Sequence, residues 1–270
     1  MKHVLITGAT SGIGKDLAYV CLQHGYMPIL TGRNQEKLID TQRILQNELG
    51  KNPPIFHLDL LHTKQIKESI DNILSYYEVD VLINNAGYGK FSPLSECSVE
   101  HLQGMFQVNM IGLSLVTQTV LPKMVERKCG HIINIASLAG KMATANASIY
   151  AASKHAVLGF TNALRLELHK ENILVTSVNL GPVATSFFQT ADASGQYEQR
   201  MQKYMLNSKV VATRIVSLIG KKKRELNLPY WMGIGARCYQ LCPVLVERIL
   251  GRYMSVSYTH LRAHETAANL

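Results

Sequence analysis

His3–Gly14 reads HVLITGATSGIG, a short β-branched and leucine-rich run followed directly by glycines at positions 8, 12 and 14. An apolar run of this length bounded by turn residues is the signature of a buried strand, and Leu17, Val20 and Cys21 then recur at helical spacing. Glycine lets such a turn adopt positive φ and lets the backbone come close to an anion. The free N–H groups at the start of the following helix supply the positive end of its dipole. A structural turn alone explains one or two of these glycines. Three of them in a GxxxGxG spacing, flanked by Thr7 and Ser11, predict a pyrophosphate cradle built from Thr7, Gly8, Ser11, Gly12, Ile13 and Gly14.

The pattern that starts there repeats along the chain. Apolar runs at Met27–Thr31, Pro54–Leu58, Val79–Ile83, His131–Ala136 and Leu174–Leu180 alternate with segments of helical periodicity such as Ile66, Ile70, Ile73 and Leu74. Strands alternating with helices imply right-handed crossovers and a parallel sheet covered on both faces. The expected fold class is α/β, a single-domain doubly wound parallel sheet with helices on both faces. A chain of 270 residues suits one such domain and is slightly short for two. Long helices are expected over 99–128 and 148–169. In the second, Ala156, Gly159 and Ala163 form a small-residue face that fits either packing inside the subunit or an isologous helix-bundle dimer. Residues 182–207, rich in Ser, Thr, Ala, Gln and Tyr with one apolar pair at Phe187 and Phe188, read as a substrate lid. A helix over 208–220, a strand over 226–230 and an apolar helix over 235–253 follow. The final stretch, VSYTHLRAHETAANL over 256–270, carries no apolar stripe and continues no motif; it reads as a non-native tail after a domain spanning 1–255.

The formal charge of +9 raises the question of nucleic acid, but Lys and Arg are scattered apart from Lys221, Lys222, Lys223 and Arg224. No nucleic-acid-binding motif accompanies that run, so it is expected to be a solvated helix end or an anionic-surface contact. Five cysteines, widely spaced and without a CxxC pair, read as reduced thiols of a cytoplasmic protein rather than a disulfide framework or a metal site. A first strand beginning at His3 leaves no room for a cleavable signal, and no run of 18 or more apolar residues marks a membrane span.

The chemistry is carried by YAASK at Tyr150–Lys154, which follows Ser137 by thirteen residues. Spacing of i and i+4 puts Tyr150 and Lys154 on one helix face. A free tyrosine, with a pKa of about 10, is a poor base near neutrality, and an adjacent ammonium is expected to lower that value. Ser137, at the end of a strand, offers a hydroxyl to hold a carbonyl oxygen. At the end of the second strand, where a carboxylate would accept from free ribose hydroxyls, the sequence has Gly32 and Arg33. Gly32 leaves space without an acceptor, and Arg33 can pair with a 2′-phosphate, which favours NADP(H) over NAD(H). Asp59 either reaches the adenine or caps the next turn. In NNAG, Asn84–Gly87, side-chain amides can tie strand ends together while Asn85, Ala86 and Gly87 lie close to the cofactor.

With TGxxxGxG and YxxxK both in place, the chain resembles the short-chain dehydrogenases/reductases over roughly residues 3–250, and within them bacterial oxidoreductases of unassigned substrate. The resemblance implies a Rossmann-type domain and a catalytic tetrad of Asn109, Ser137, Tyr150 and Lys154. In it the Asn109 main chain supports a water, and Lys154 also binds the nicotinamide ribose. It further implies that Asn179–Thr185 closes on the nicotinamide through Pro182, Val183 and Thr185. The expected activity is reversible hydride transfer between NADP(H) and a small-molecule carbonyl or secondary alcohol, in a homodimer or homotetramer. A nucleotide-sensing regulator without turnover is the alternative, and sugar-nucleotide epimerase chemistry fits the glycine spacing less well. The segment 230–254, with Trp231, Met232, Tyr239, Leu241, Leu245, Val246, Ile249 and Leu250 beside Arg237, Arg248 and Arg252, fits a pocket wall, a subunit contact or a membrane-surface helix.

Overall fold

The computed structural model describes residues 1–192 and 194–254, with side chains described as far as residue 249. The expected tail over 256–270 lies outside the described residues, as does the side chain of Arg252. Strands β1 (His3–Ile6), β2 (Met27–Gly32), β3 (Ile55–His57), β4 (Val79–Asn84), β5 (Gly130–Ser137) and β6 (Ile173–Leu180) are followed by the two-residue strands β7 (Val183–Ala184) and β8 (Leu206–Asn207), then by β9 (Glu225–Leu228). Helices are α1 (Gly12–Gln23), α2 (Gln35–Leu49), α3 (Thr63–Tyr76), α4 (Val99–Phe106), α5 (Leu113–Arg127), α6 (Ser148–Glu167), α7 (Phe187–Ala191), α8 (Gln196–Met201), α9 (Ser208–Val216), α10 (Tyr230–Leu241) and α11 (Pro243–Met254). The main sheet has the order β3-β2-β1-β4-β5-β6-β9, and every pairing in it is parallel. The order reverses between β1 and β4, the crevice where ligands bind in open α/β sheets.

Period-two alternation in the strands divides the core between the faces. Val4, Ile6, Leu30, Val81, Ile83 and Val178 pack with Leu17 of α1, Leu38 of α2 and Ile215 of α9. Leu5, Ile29, Leu82, Ile132 and Val175 pack on the other face with Ile66, Ile70 and Ile73 of α3, Val116, Val120 and Met124 of α5, and Leu164 of α6. Strands buried on both faces read as continuous apolar runs, which is why the sequence runs fall on β1, β2, β4, β5 and β6; the run at Pro54–Leu58 falls on the three-residue edge strand β3.

Four features differ from the sequence expectation. The helix over 99–127 is α4 and α5 joined by a π-helical stretch, Gln107–Gly112. By length and composition this helix could cross a membrane, yet Met105, Leu113, Val116, Val120 and Met124 are buried in the domain. The lid segment holds two short helices and the β7–β8 pair rather than irregular chain. The apolar helix expected over 235–253 is two helices. Pro243 disfavours helical geometry at Cys242 (φ −138°, ψ 65°) and lacks the N–H that a continuous helix needs, so α10 ends and α11 begins with proline in its first turn. Finally, α10 starts at Tyr230, which the expected strand included, and its Met232 walls a cavity. Tyr230, Leu241, Val244, Leu245 and Ile249 stay exposed.

His131 of β5 is buried, with Nε2 2.9 Å from the Thr176 hydroxyl and Nδ1 3.3 Å from the Gly220 N–H that donates to it. Thr176 donates its own proton to the Lys223 carbonyl at 2.6 Å, so the partners assign the imidazole proton to Nε2 and leave the ring neutral. Burial first, then the charge of Lys2, pushes His131 down from 6.5 to about 4. Between those two values the unfolded chain binds more protons than the folded one. Stability should therefore fall as pH drops from about 6.5 to about 4, by up to roughly 3 kcal/mol from this group. Urea titrations of the parent and His131→Gln over that window should diverge, the variant being flatter with pH; parallel profiles would contradict the assignment.

Candidate active site

The glycine loop is held by backbone contacts that leave no room for side chains. Thr7 Oγ1 accepts from the Asn85 and Ala86 N–H groups, each at 3.0 Å, and the Asn85 amide donates to the carbonyls of Thr7 (2.9 Å) and Gly8 (3.0 Å). These bonds lock the C-terminal ends of β1 and β4 together. Asn84 ties β4 to β5 and α5 one layer deeper, donating to Asn134 Oδ1 at 2.8 Å and Thr117 Oγ1 at 2.9 Å. Gly8 has φ +67°, and a Cβ at Gly14 would stand 2.0 Å from the Gly8 carbonyl oxygen. Ser11 precedes α1 in extended geometry without a side-chain cap, so the first-turn N–H groups of Gly12, Ile13 and Gly14 stay open to an anion. These residues fit a pyrophosphate. On the far side, Thr185 Cγ2 would lie 3.0 Å from a Cβ at Gly12, so the chain after β7 leans over the loop.

At the end of β2, Arg33 is exposed and Asn34 caps α2 by accepting from the Lys37 N–H at 2.8 Å. A Cβ at Gly32 would stand 2.9 Å from Thr10 Cγ2. The space that the sequence reading gave to Gly32 is thus filled, and an acid there would collide with Thr10. The Arg33 charge lies near Tyr88, where it opposes the rise that burial imposes on the phenol. Asp59 forms the cap: Oδ1 accepts from the Leu61 N–H at 3.0 Å, and His62 Nε2 lies 3.8 Å from Oδ2.

Ser137, Tyr150 and Lys154 converge where β5 meets α6. Lys154 is buried and donates from Nζ to the Ile135 carbonyl at 2.9 Å; Tyr150 and Ser137 line the same cavity. Ser137 Oγ donates to the Leu180 carbonyl at 3.2 Å and accepts from the Ala139 N–H at 3.1 Å. Asn109 lies in the π-helical stretch, fully buried. Its side chain accepts from the Tyr88 N–H (3.0 Å) and donates to the Tyr88 carbonyl (2.9 Å) and Ser153 Oγ (3.0 Å). A π-bulge turns one extra residue toward a site, here toward the chain just after β4. A Cβ at Gly87 would lie 2.9 Å from Asn109 Oδ1 and 3.4 Å from Lys154 Nζ, so the glycine lets these groups pass.

The expected lowering of the Tyr150 pKa is absent. Burial raises it to about 12, against the Ser137 hydrogen bond that lowers it, with Tyr197 adding to the rise. Lys154 Nζ sits 5.9 Å from the Tyr150 ring centroid with its proton committed to Ile135, too indirect a contact to offset burial. Burial likewise brings Lys154 down to about 8.

Two cavities meet at Ser137 and Tyr150. The first runs toward the glycine loop past Ile13, Asn85, Gly87, Lys154, Val183 and Thr185; the second is enclosed by Phe91, Met142, Pro182, Tyr197 and Met232. Pro182 therefore lines the second cavity, unlike Val183 and Thr185. Ser11, Arg33 and Asp59 line neither. The sequence reading missed Ile135, whose carbonyl has no sequence signature, and Phe91, whose ring packs against Tyr150 (5.7 Å), Phe187 (6.3 Å) and Tyr197 (5.4 Å). The Phe187–Phe188 pair was its one visible sign.

Residues 2–195 match the family model for short chain dehydrogenase. NADP-dependent 3-hydroxy acid dehydrogenase YdfG of Salmonella typhi is 37% identical over 203 residues, covering 74% of this chain and 80% of the relative. Dehydrogenase/reductase SDR family member 7B of Mus musculus is 35% identical over 256 residues, covering 92% and 79%. The closed form of serine dehydrogenase complexed with NADP+ superposes with a TM-score of 0.74 at 33% identity, over 84% of this chain and 94% of that one. With residues 2–195 matching that family model and relatives such as these covering most of its length, the chain, with its glycine loop and doubly wound sheet, belongs to the short-chain dehydrogenase/reductase family.

Proposed function

We propose that the protein is an NADP(H)-dependent oxidoreductase interconverting a carbonyl compound and a secondary alcohol, with Tyr150 as general acid and base. The observation that carries this reading is the junction of the two cavities at Ser137 and Tyr150, which line both. The glycine loop, Arg33, Asn85, Gly87, Lys154, Val183 and Thr185 would hold the cofactor, which when bound supplies or accepts hydride at the carbonyl carbon. Arg33, exposed at the end of β2, is the group for a 2′-phosphate. The NADP named for the Salmonella relative and the NADP+ bound to serine dehydrogenase support the same choice.

In reduction, Ser137 turns its hydroxyl from the Leu180 carbonyl to the substrate oxygen and holds it. As the C–H bond forms, the C=O π pair moves onto oxygen and takes the Tyr150 proton. A phenol held near pKa 12 is fully protonated at neutral pH, so the donor form is the resting form. Lys154, protonated below about pH 8, stabilises the phenolate left behind. Asn109 positions rather than reacts: it ties the chain at Tyr88 to Ser153, one residue before Lys154.

A homo-oligomer belongs to this proposal. A Cβ at Gly159 would meet nothing within 4 Å, and Leu166 on α6 is 74% exposed, so the small-residue face is open for a partner subunit. A reducing, cytoplasmic setting also belongs to it, supported by the exposed free thiols of Cys129, Cys238 and Cys242.

Tyr150→Phe should keep NADPH binding and lose about 10²–10⁴-fold in kcat; turnover within a few-fold of the parent would remove Tyr150 from the chemistry. Arg33→Ala should weaken NADPH by roughly one to two decades and leave NADH unchanged. Equal dissociation constants for the two cofactors in the parent, read by fluorescence titration, would make Arg33 a surface residue only.

A further inference from the structure

The two cavities differ in charge. Lys154 lines the cofactor side, whereas no charged residue lines the second cavity among the described residues. The second cavity is walled by Phe91, Leu138, Met142, Met201 and Met232, and its side-chain polar groups are the hydroxyls of Ser137, Thr144, Tyr150 and Tyr197. Lys141 falls between the lining residues Ala139 and Met142, yet its ammonium is bonded to the Glu225 carboxylate. That carboxylate also takes the Asn179 amide (3.1 Å) and Arg237 (3.4 Å), so the Lys141 ammonium is held on Glu225 and does not line the cavity. The charge close behind the lid is negative. Asp192, only 6% exposed, accepts from Ser194 Oγ (2.7 Å) and the Glu198 N–H (2.9 Å), and after burial it is the second cause that raises the neighbouring Tyr197 phenol to about 12. A carboxylate placed here would lose its water where no cation lines the cavity among the described residues and where Asp192 lies near the lining Tyr197.

The apolar wall also continues outward. Tyr204 follows Met201 on the lid, Trp231 precedes Met232 on α10, and the two rings meet edge to face at 5.8 Å. Both are partly open to solvent, Trp231 at 55% and Tyr204 at 42%.

We infer that the substrate is an uncharged ketone or secondary alcohol whose longer substituent is apolar and leaves the reacting centre between α8 and α10, past Met201 and Met232 toward Tyr204 and Trp231. This rests on the oxidoreductase reading above and sets the chain apart from a relative named for a 3-hydroxy acid, a charged substrate.

Trp231 is the only tryptophan of the sequence, so its fluorescence reports occupancy of this channel without turnover. The NADPH-loaded protein is titrated with straight-chain 2-ketones of increasing length and with 3-oxo acids beside their methyl esters, and turnover of the same compounds is followed at 340 nm. Affinity should tighten by up to about fourfold per added methylene while the chain still lies against the wall. Each ester should bind at least tenfold tighter than its acid. Met232→Lys, with NADPH binding retained as the check on folding, should narrow or reverse the preference for ester over acid. An acid that binds as tightly as its ester, or affinity indifferent to chain length, would overturn the inference. Tight ketone binding without reduction of any ketone would support the pocket's chemistry and count against the oxidoreductase reading instead.

Discussion

A buried ammonium must be satisfied, and the way Lys154 is satisfied organises this site. Its Nζ donates to the Ile135 carbonyl near the end of β5, which fixes the approach of α6 to the sheet. That approach sets where Tyr150, one helical turn earlier, meets Ser137. Asn109 holds the opposite wall through Ser153 and Tyr88, so the same small region joins β4, β5, the π-helical stretch and α6. Removing the Lys154 amine would leave the buried Ile135 carbonyl without this donor.

The sheet order explains why the two halves of the site adjoin. Parallel strands send their C-terminal ends to one edge, and the reversal between β1 and β4 opens the crevice there. Thr7 and Asn85 close the bottom of that crevice with backbone bonds, while the β5 and β6 ends carry Ser137 and Leu180 into the neighbouring cavity. Charge then separates the two: Lys154 on one side, methionine and hydroxyls on the other. A hydride acceptor with an apolar body and a polar reacting atom suits that division.

Much of this was legible in the chain because the determinants are local. Buried parallel strands show as unbroken apolar runs, and the glycines show because Gly8 needs positive φ and Gly14 cannot carry a Cβ. Tyr150 and Lys154 show through helical spacing. What stayed hidden depends on three dimensions. The Ile135 carbonyl has no side-chain signal. The Tyr150 pKa depends on burial that spacing cannot measure, and burial is what raises it. Gly32 read as open space because Thr10, distant in sequence, lies against it, and spacing could not show that Asp59 Oδ1 accepts from the Leu61 N–H. The split between α10 and α11 was written in Pro243, whose local rule was overrun by the apolar pattern around it.

The central claim is that hydride passes between a nicotinamide and a carbonyl carbon at the Ser137–Tyr150 junction. The most direct measurement is mass spectrometry of the alcohol formed from an apolar ketone by the intact protein, with NADPH carrying deuterium at both C4 positions. The account predicts an alcohol with a single deuterium on the carbinol carbon, formed in proportion to the NADPH consumed. Alcohol without deuterium, or NADPH consumed without alcohol, would contradict it.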